Sequence, residues 1–357
     1  MSNAFATFVA DALGGERFNL LDVGCSGGLD ARWRAFGASL RALAIDASVA
    51  ECERLRKAET NPDIEYVAAF AAGGTTKKID PTRSQASDLI LAIRERLSFW
   101  RTLQLRESRL ATAEIEDKLR HNAWELTQLA DATKPTVVPD LLASKGWTDV
   151  DYLKIDIDGS DWEVLQSFAG RLVTLGVLGV QLEVNFVGTE APTEHAFHNT
   201  DRFMRGQGFE LFRLDVRNYS SRALPARYVW PTPAETVSGR PWQGEAYYAR
   251  DAVMSPGALP AGKLAKLAAI FSLWGVPDLA AELLVAERRA LAKLFDVDRG
   301  LDLLAAQVQP QRSAKLSYRD YMKAFEADAP WFYRREGDIG LGERLAAAWR
   351  AYWNPRN

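Results

Sequence analysis

Two acidic residues, Asp156 and Asp158, are the first candidates for chemistry in this sequence. They stand at the end of the apolar run 150–157, one residue apart from each other, and Gly159 comes directly after Asp158. Side chains two positions apart on a strand point to the same face, so these two carboxylates lie together. Unless a substrate hydroxyl, a basic group or a cation relieves their repulsion, the pKa of one of them must rise. Both carboxylates are therefore candidate general bases.

Four more polar residues follow the next apolar run along the chain. Glu183 and Asn185 stand two positions apart at the end of the run 177–184 and therefore share one face. His195 and His198 come shortly after, and histidine is the side chain best suited to accept a proton near neutral pH. The two histidines are candidate catalytic bases. The alternative interpretation gives them surface or structural roles.

A divalent cation is one way to relieve the repulsion between the carboxylates. Asp156, Asp158, Glu183 and Asn185 offer hard oxygen ligands of the kind that magnesium and calcium bind. An ion at this place would bind a substrate oxygen and lower its pKa. The candidate metal ligands are Asp156, Asp158 and Glu183, with Mg²⁺ as the ion. Alternatively, Asp156 only hydrogen-bonds to the backbone or to a cofactor, and Asp158 only forms part of a turn.

A glycine-rich loop follows the first apolar run. Residues 20–28 read LLDVGCSGG, so a predicted strand leads into a turn and then into a predicted helix. Glycines let the backbone adopt positive φ and approach a ligand closely. Loops at the carboxyl ends of parallel strands bind ligands in open α/β sheets. The predicted cofactor-binding residues of this segment are Asp22, Gly24, Cys25, Ser26 and Gly28.

A second acid supports a nucleotide-like ligand. Asp46 ends the next apolar run and stands 24 positions after Asp22 (46 − 22). A carboxylate at the end of the second strand accepts hydrogen bonds from ribose hydroxyls. Asp46 and the adjacent Ala47 therefore complete the predicted cofactor pocket, to which Asp156 also contributes. The alternative interpretation is a plain tight turn with a surface acid.

The elements that position these residues alternate between apolar runs and helix-like segments over residues 1–250. Such alternation predicts βαβ units and a mostly parallel sheet, hence an α/β fold. The predicted strands are 18–23, 40–45, 64–70, 150–157, 177–184 and 209–216, with further candidates at 228–230 and 246–249. The capping-box spacing of Ser160 and Glu163 predicts the start of a helix.

Two segments depart from this alternation. Apolar residues spaced as one helical face predict a helical insertion at residues 82–131. Prolines and glycines between 256 and 262 predict a linker, and helical patterns follow at 264–274, 279–295 and 340–353. We therefore expect a first domain at 1–255, which contains the insertion, and a C-terminal helical domain at 256–357. These C-terminal helices are expected to form the interface of a homodimer or to cover the pocket.

Composition excludes several classes of function. The chain has 357 residues, with 44 Lys and Arg against 47 Asp and Glu, so no basic field favours nucleic-acid binding. The two cysteines, Cys25 and Cys52, cannot form a disulfide framework, which is typical of a reducing compartment. No apolar run approaches the ~20 residues of a membrane span. We expect a cytoplasmic protein without a nucleic-acid partner or a membrane span.

The two motifs together resemble a known family. The loop, with Asp22 before the glycines and Ser26 between them, is similar to motif I of S-adenosylmethionine-dependent methyltransferases. The chain resembles the FkbM methyltransferases over residues 18–216, in the segments LLDVGCSGGLDARW, AIDAS, VDYLKIDIDGSDWEVLQ, VQLEVNF and RGQGFELFRL. The segment LKIDIDGSDWEVL is the specific part. Asp158 and Asp161 stand where members of the family commonly carry glutamates.

The resemblance implies a Rossmann-like class I methyltransferase sheet whose last strand is antiparallel. The helical insertion and the C-terminal helical domain would be additions to this sheet. It also implies S-adenosylmethionine as the cofactor, with the glycine-rich loop around the methionine moiety and Asp46 on the ribose. The implied reaction is methyl transfer to a hydroxyl of a sugar, a glycan or a glycosylated metabolite.

Two other functions stay open at this point. The protein could be a non-catalytic module that binds S-adenosylmethionine or recruits a partner, although the intact Asp22, Gly24, Asp46 and Asp156 count against this. It could also be an NAD-dependent oxidoreductase. Dinucleotide-binding folds prefer the pattern G-x-G-x-x-G, which the loop lacks.

Overall fold

The computed structural model describes part of the chain, in several ranges. These are residues 3–73, 135–157, 161–186, 190–192, 195–220, 226–227, 229, 235–309 and 315–327. The predicted insertion at 82–131 and the predicted helix at 340–353 lie outside them, as does most of the strand candidate at 228–230. The chain divides into two compact units, residues 1–295 and 296–357.

The strands of the first unit form a large sheet and a small one. They are β1 Phe18–Val23, β2 Leu40–Asp46, β3 Ile64–Ala68, β4 Phe70–Ala72, β5 Pro135–Val137, β6 Tyr152–Ile155, β7 Gly179–Asn185, β8 Glu210–Tyr219 and β9 Arg240–Ala249. The large sheet has seven strands in the order β3-β2-β1-β6-β7-β9-β8, and β4 pairs with β5. All neighbours are parallel except those of β9, which runs antiparallel to β7 and β8. The predicted α/β class and the class I sheet with its antiparallel last strand are confirmed.

Helices connect and cover these strands. They are α1 Ala4–Ala12, a 3-10 helix Ala31–Ser39, α2 Val49–Ala58, α3 Val138–Ser144, α4 Asp161–Ser167, α5 Arg171–Thr174, α6 Phe197–Gly206, α7 Ala261–Leu273, α8 Pro277–Ala286, α9 Arg288–Leu291, α10 Val297–Gln307 and α11 Tyr318–Ala327. The predicted helical pattern at 264–274 is present as α7, and α8 follows after a turn in which Gly275 has φ 78°.

The central strands are covered on both faces. Every residue of β1 and of β7 is buried, as expected for strands that are covered on both faces of the sheet. On one face, Leu21 and Ile155 belong to a core cluster with Leu142 of α3, Leu165 of α4 and Met204 of α6. This core holds the carboxyl ends of β1 and β6 side by side, and those ends carry the candidate site.

On the opposite face, α7 packs against the sheet. The indole Nε1 of Trp274, at the end of α7, donates a hydrogen bond of 2.9 Å to the hydroxyl of Tyr152 on β6. Residues 256–295 therefore pack within the first compact unit, whereas the sequence placed the start of a separate helical domain at residue 256. The prolines and glycines there do mark a loop, but they do not indicate whether the helix that follows packs against the same core.

Two other elements differ from the sequence prediction in their extent. The predicted strand at 64–70 is interrupted at Ala69, whose amide donates a hydrogen bond of 2.9 Å to the carbonyl oxygen of Asp46. This bond is the last one that joins the segment to β2, and β4 then pairs with β5 instead. The predicted helix at 279–295 is divided into α8 and α9 at Glu287, where φ is -104°.

The second unit contributes α10 and α11 to the described residues. The carboxylate of Asp296 caps α10 by accepting hydrogen bonds from the amides of Asp298 and Arg299. The amide of Tyr318, at the start of α11, donates a hydrogen bond of 2.7 Å to Oδ1 of Asp302. Within the part of the chain that the structure describes, none of the helices has the length and apolarity needed to cross a bilayer.

Candidate cofactor and active site

The glycine-rich loop lies at the carboxyl edge of the sheet, between β2 and β6. The amides of Gly24 and Cys25 donate hydrogen bonds of 2.8 and 3.2 Å to the carbonyl oxygen of Ile45, at the end of β2. On the other side, the amide of Asp156 donates a hydrogen bond of 2.9 Å to the carbonyl oxygen of Val23. The loop is therefore attached to both neighbouring strands. In an open α/β sheet this edge is where ligands bind.

Gly24 allows the loop to approach β6 closely. Its φ is 95°, and a Cβ added there would lie 1.7 Å from the carbonyl oxygen of Asp156. No residue with a side chain fits that space. Gly27 also has a positive φ of 83°, but a Cβ there would meet nothing within 4 Å. One side of the loop thus packs against the protein, and the other side faces open space.

Asp46 lies at the end of β2, on the same edge as the loop. Its Oδ1 accepts a hydrogen bond of 2.8 Å from the amide of Ser48, and its carboxylate also accepts one from the amide of Ser26. Burial raises the pKa of Asp46, and these hydrogen bonds oppose the rise. A carboxylate has about four acceptor positions, so Asp46 retains capacity for ribose hydroxyls. Ala47 follows it and is half-buried.

A lysine links the two motifs. Nζ of Lys154 lies 3.6 Å from Oδ1 of Asp22 and 3.2 Å from Oδ2 of Asp156. It also donates a hydrogen bond of 3.2 Å to the carbonyl oxygen of Gly24. Asp22 is almost fully buried, and Asp156 is half-exposed, with 38% of its side chain accessible. Asp156 is therefore the member of the group that a ligand can reach.

The charges of this group influence one another. Burial raises the pKa of Asp22 from 3.8 to about 6, although the ammonium of Lys154 opposes the rise. Burial by itself would lower the pKa of Lys154, but the carboxylates of Asp22 and Asp156 outweigh it and leave that pKa raised. Lys154 therefore stays protonated and cannot act as a general base.

Part of the segment that follows Asp156 lies outside the described residues. Asp158 lies outside the described residues, as do Gly159 and Ser160 of the predicted capping box. The described helix α4 begins at Asp161, which is 2% exposed and accepts a hydrogen bond of 2.9 Å from the amide of Ile157 through Oδ1. Asp161 thus holds the turn after β6 rather than facing a substrate.

The two candidate histidines have different environments. His195 is buried, and its Nε2 lies 3.1 Å from the carbonyl oxygen of Glu183. Because that oxygen can only accept, Nε2 must carry a proton, and Nδ1 then accepts from Nδ2 of Asn185 at 3.4 Å. Both ring nitrogens of His195 are therefore engaged by the protein. His198 is exposed on α6.

Two further candidates, Cys25 and Glu183, are buried. Cys25 and Cys52 are free, buried thiols, and the hydrogen bond between their side chains raises the pKa of Cys25. Glu183 lies in β7 with 9% of its surface exposed. Among the described residues, no group of three or more His, Cys, Asp and Glu side chains is arranged to hold a metal ion. The magnesium prediction, which includes Asp158, stays a prediction.

The sequence-based reasoning missed Lys154. A charged residue inside the apolar strand VDYLKID was a usable signal, because a lysine is rarely buried unless it is paired. Two of its three partners are far away in the sequence, and Gly24 is 130 positions from Lys154. The strand register between β1 and β6, which places Asp22 beside Lys154, could not be derived from either strand alone.

The central segment of the chain matches the model of a known protein family. Residues 101–211 match the family model of the methyltransferase FkbM domain. The resemblance to the FkbM methyltransferases is confirmed. The FkbM match includes Lys154, Asp156, Glu183 and His195, together with residues 101–131 of the predicted insertion. It begins well after residue 18, so the glycine-rich loop and Asp46 lie outside it.

Other comparisons add little to the FkbM match. A search of curated proteins found no significant match. Among solved structures, the chain is similar to the METTL16 methyltransferase domain, with 11% sequence identity and a TM-score of 0.25. That similarity covers 69% of this chain and 66% of the other, so the chain spans just under two thirds of its length.

Proposed function

We propose that this protein is an S-adenosylmethionine-dependent O-methyltransferase that acts on a hydroxyl of a sugar, a glycan or a glycosylated metabolite. The observation that carries the proposal is the close packing of Gly24 on the backbone of Asp156. This contact joins the loop that resembles motif I to the end of a strand inside the FkbM-matched segment. The two motifs therefore lie side by side at one edge of the sheet.

The residues present fit the cofactor. Bound S-adenosylmethionine would supply a methyl group on a positively charged sulfur. The open side of Gly27 leaves room beside the loop, and Asp46 has acceptor capacity for the ribose. Asp22, Asp46 and Asp156 outnumber the single ammonium of Lys154 at this edge. This excess of negative charge complements a cationic cofactor.

Asp156 is the best-placed candidate base among the described residues. Methyl transfer is an in-line displacement, so much of the catalysis is positioning, but the acceptor hydroxyl must also lose its proton. Asp156 is half-exposed at the edge of the pocket, and only its Oδ2 contacts Lys154. His195 is less suitable because Nδ1, its one nitrogen without a proton, already faces Asn185.

Calorimetric titration with S-adenosylmethionine tests the cofactor assignment. The wild type should show saturable binding at one site, and Asp46→Ala should weaken that binding at least tenfold. Asp140→Ala is a matched control, because Asp140 is exposed and forms a surface ion pair with Arg171. The control should bind like the wild type. Absence of binding by well-folded wild type would contradict the proposed function.

An acceptor screen tests the reaction. Methyl transfer from labelled S-adenosylmethionine would be measured on sugars, glycans and glycosylated metabolites, with magnesium or with a chelator. Transfer to a hydroxyl oxygen supports the proposal, and transfer only to nitrogen or carboxylate acceptors contradicts it. Asp156→Asn should lower turnover strongly while it changes cofactor affinity less. The comparison with the chelator decides whether a divalent cation takes part.

A further inference from the structure

We infer that Lys154 is a positioning residue of the cofactor pocket, whose ammonium holds the glycine-rich loop and Asp156 in a fixed relation to each other. The inference rests on the proposed function, because it assigns Lys154 a role in that pocket. It adds a residue that neither motif identified by itself.

Lys154 makes one hydrogen bond and two ion pairs, all within the protein. An ammonium has three N–H donors and no acceptor. Its three oxygen neighbours are the carbonyl oxygen of Gly24 at 3.2 Å, Oδ2 of Asp156 at 3.2 Å and Oδ1 of Asp22 at 3.6 Å. Because one hydrogen bond and two ion pairs hold its Nζ within the protein, Lys154 acts on a ligand through these partners rather than by direct contact.

The strand register explains why a lysine at this position can reach both motifs. Asp22 and Lys154 are direct neighbours on the parallel strands β1 and β6, so their side chains lie on the same face of the sheet. The loop begins two residues after Asp22, and Asp156 stands two residues after Lys154. One side chain therefore spans the point where both backbones leave the sheet.

Removal of the Lys154 ammonium would deprive two groups of their positively charged partner. Asp22, 3% exposed, would lose its nearest positive charge, and the carbonyl of Gly24 would lose a charged donor. The loop and Asp156 would then be held together only by the close packing of Gly24 and by backbone hydrogen bonds. We expect the loop to move more freely and the cofactor to bind less tightly.

The experiment uses the full-length protein with Lys154→Met, Lys154→Arg and Lys145→Met. Lys145→Met is the matched control, since Lys145 makes its ion pair with the half-exposed Glu65 on the surface. In titrations with S-adenosylmethionine, Lys154→Met should weaken binding at least tenfold. Lys154→Arg should recover part of the loss, because it keeps the charge and several donors. Lys145→Met should bind like the wild type.

Hydrogen exchange of the ligand-free protein distinguishes positioning from general stabilisation. Lys154→Met should speed amide hydrogen exchange selectively at Gly24–Gly28, because backbone amides of this segment donate hydrogen bonds to neighbouring groups. A purely structural lysine would speed exchange equally in remote elements such as α7. Binding within threefold of the wild type, or exchange that rises uniformly or not at all, would overturn the inference.

A double variant covers the case in which Lys154→Met does not fold. Asp22→Asn with Lys154→Met removes both charges of the buried pair, and Asp22→Asn alone is its reference. Faster loop exchange in the double variant than in the reference supports the inference, and equal exchange overturns it. The exchange measurement needs no ligand. If the wild type fails to bind S-adenosylmethionine, the proposed function fails, and the role of Lys154 in holding the loop is still decided.

Discussion

Nζ of Lys266 lies 3.1 Å from Oδ2 of Asp151, and both side chains are almost completely buried, at 1% and 0% exposure. Lys266 belongs to α7, and Asp151 immediately precedes β6. Lys263, one turn earlier in α7, contacts Oδ1 of the same carboxylate at 2.6 Å. The amide of Asn19 donates a further hydrogen bond of 2.8 Å to Asp151. Asp151 therefore links α7 to the central strands through two lysines.

Asp151→Asn should destabilise the protein strongly. It leaves two lysines beside a neutral amide, and breaking a buried ion pair from one side costs about 3–5 kcal/mol. The free energy of unfolding would be measured by urea denaturation. Asp140→Asn is the control, because its partner Arg171 is on the surface and an exposed pair contributes only about 0–1 kcal/mol. Equal effects of the two substitutions would contradict the importance of the buried pair.

Truncation tests where the first compact unit ends. A chain of residues 1–295 retains α7 and should unfold cooperatively and bind S-adenosylmethionine. A chain of residues 1–255 lacks Lys263, Lys266 and Trp274, so Asp151 and Tyr152 lose their partners. We expect it to be insoluble or to unfold without cooperativity. A soluble, cooperative 1–255 chain would instead support the domain boundary that the sequence indicated.

Gly24→Ala should cost more stability than Gly27→Ala, although both glycines lie in one loop with positive φ. Backbone strain in this region costs a non-glycine residue about 1–2 kcal/mol, and both variants carry it. Only Gly24→Ala adds a collision, because its Cβ would lie 1.7 Å from the carbonyl oxygen of Asp156. The additional cost should be about 1–3 kcal/mol. Urea denaturation of both variants checks this order, and the reverse order would be inconsistent with the close contact.

The stability of the protein should depend on pH through Asp22. Its pKa rises from 3.8 in the unfolded chain to about 6 in the fold, so between these values the folded state holds a proton that the unfolded chain has released. Stability is therefore highest below about pH 4 for this group and falls as pH rises to about 6. The shift corresponds to about 3 kcal/mol.

Asp22→Asn provides the test, since asparagine has no proton to release. Relative to the wild type, the variant should gain about 3 kcal/mol of stability between about pH 3.5 and about pH 7.5. Unfolding free energies of both proteins would be compared across this range. Parallel pH profiles would show that Asp22 titrates normally in the folded protein.

Local sequence was sufficient for the strands and turns of the site. Apolar runs ended by a glycine or an acid predicted β1 and β2, because strands that are buried on both faces consist mostly of apolar residues. The position of Asp46 and of the glycine-rich loop at one edge then followed from parallel strand direction. The FkbM resemblance added the antiparallel β9, which local pattern alone left as an unplaced strand candidate.

Contacts between distant segments could not be predicted in this way. His195 was a candidate base by residue type, but the carbonyl oxygen of Glu183 places the ring proton on Nε2. The linker at residue 256 was visible, but the return of α7 to the sheet depends on Asp151, which is 115 positions from Lys266. Such partners are chosen by packing and charge pairing in three dimensions.

The sequence by itself determined the α/β class, the methyltransferase resemblance and the residues that gather at the carboxyl edge of the sheet. These depend on short-range patterns, since burial and turn geometry restrict which residue types can occupy each position. Only the tertiary structure decided that Lys154 joins Asp22, Gly24 and Asp156, and that α7 is part of the same compact unit. Both depend on strand register and on the pairing of buried charges, which bring together residues more than a hundred positions apart.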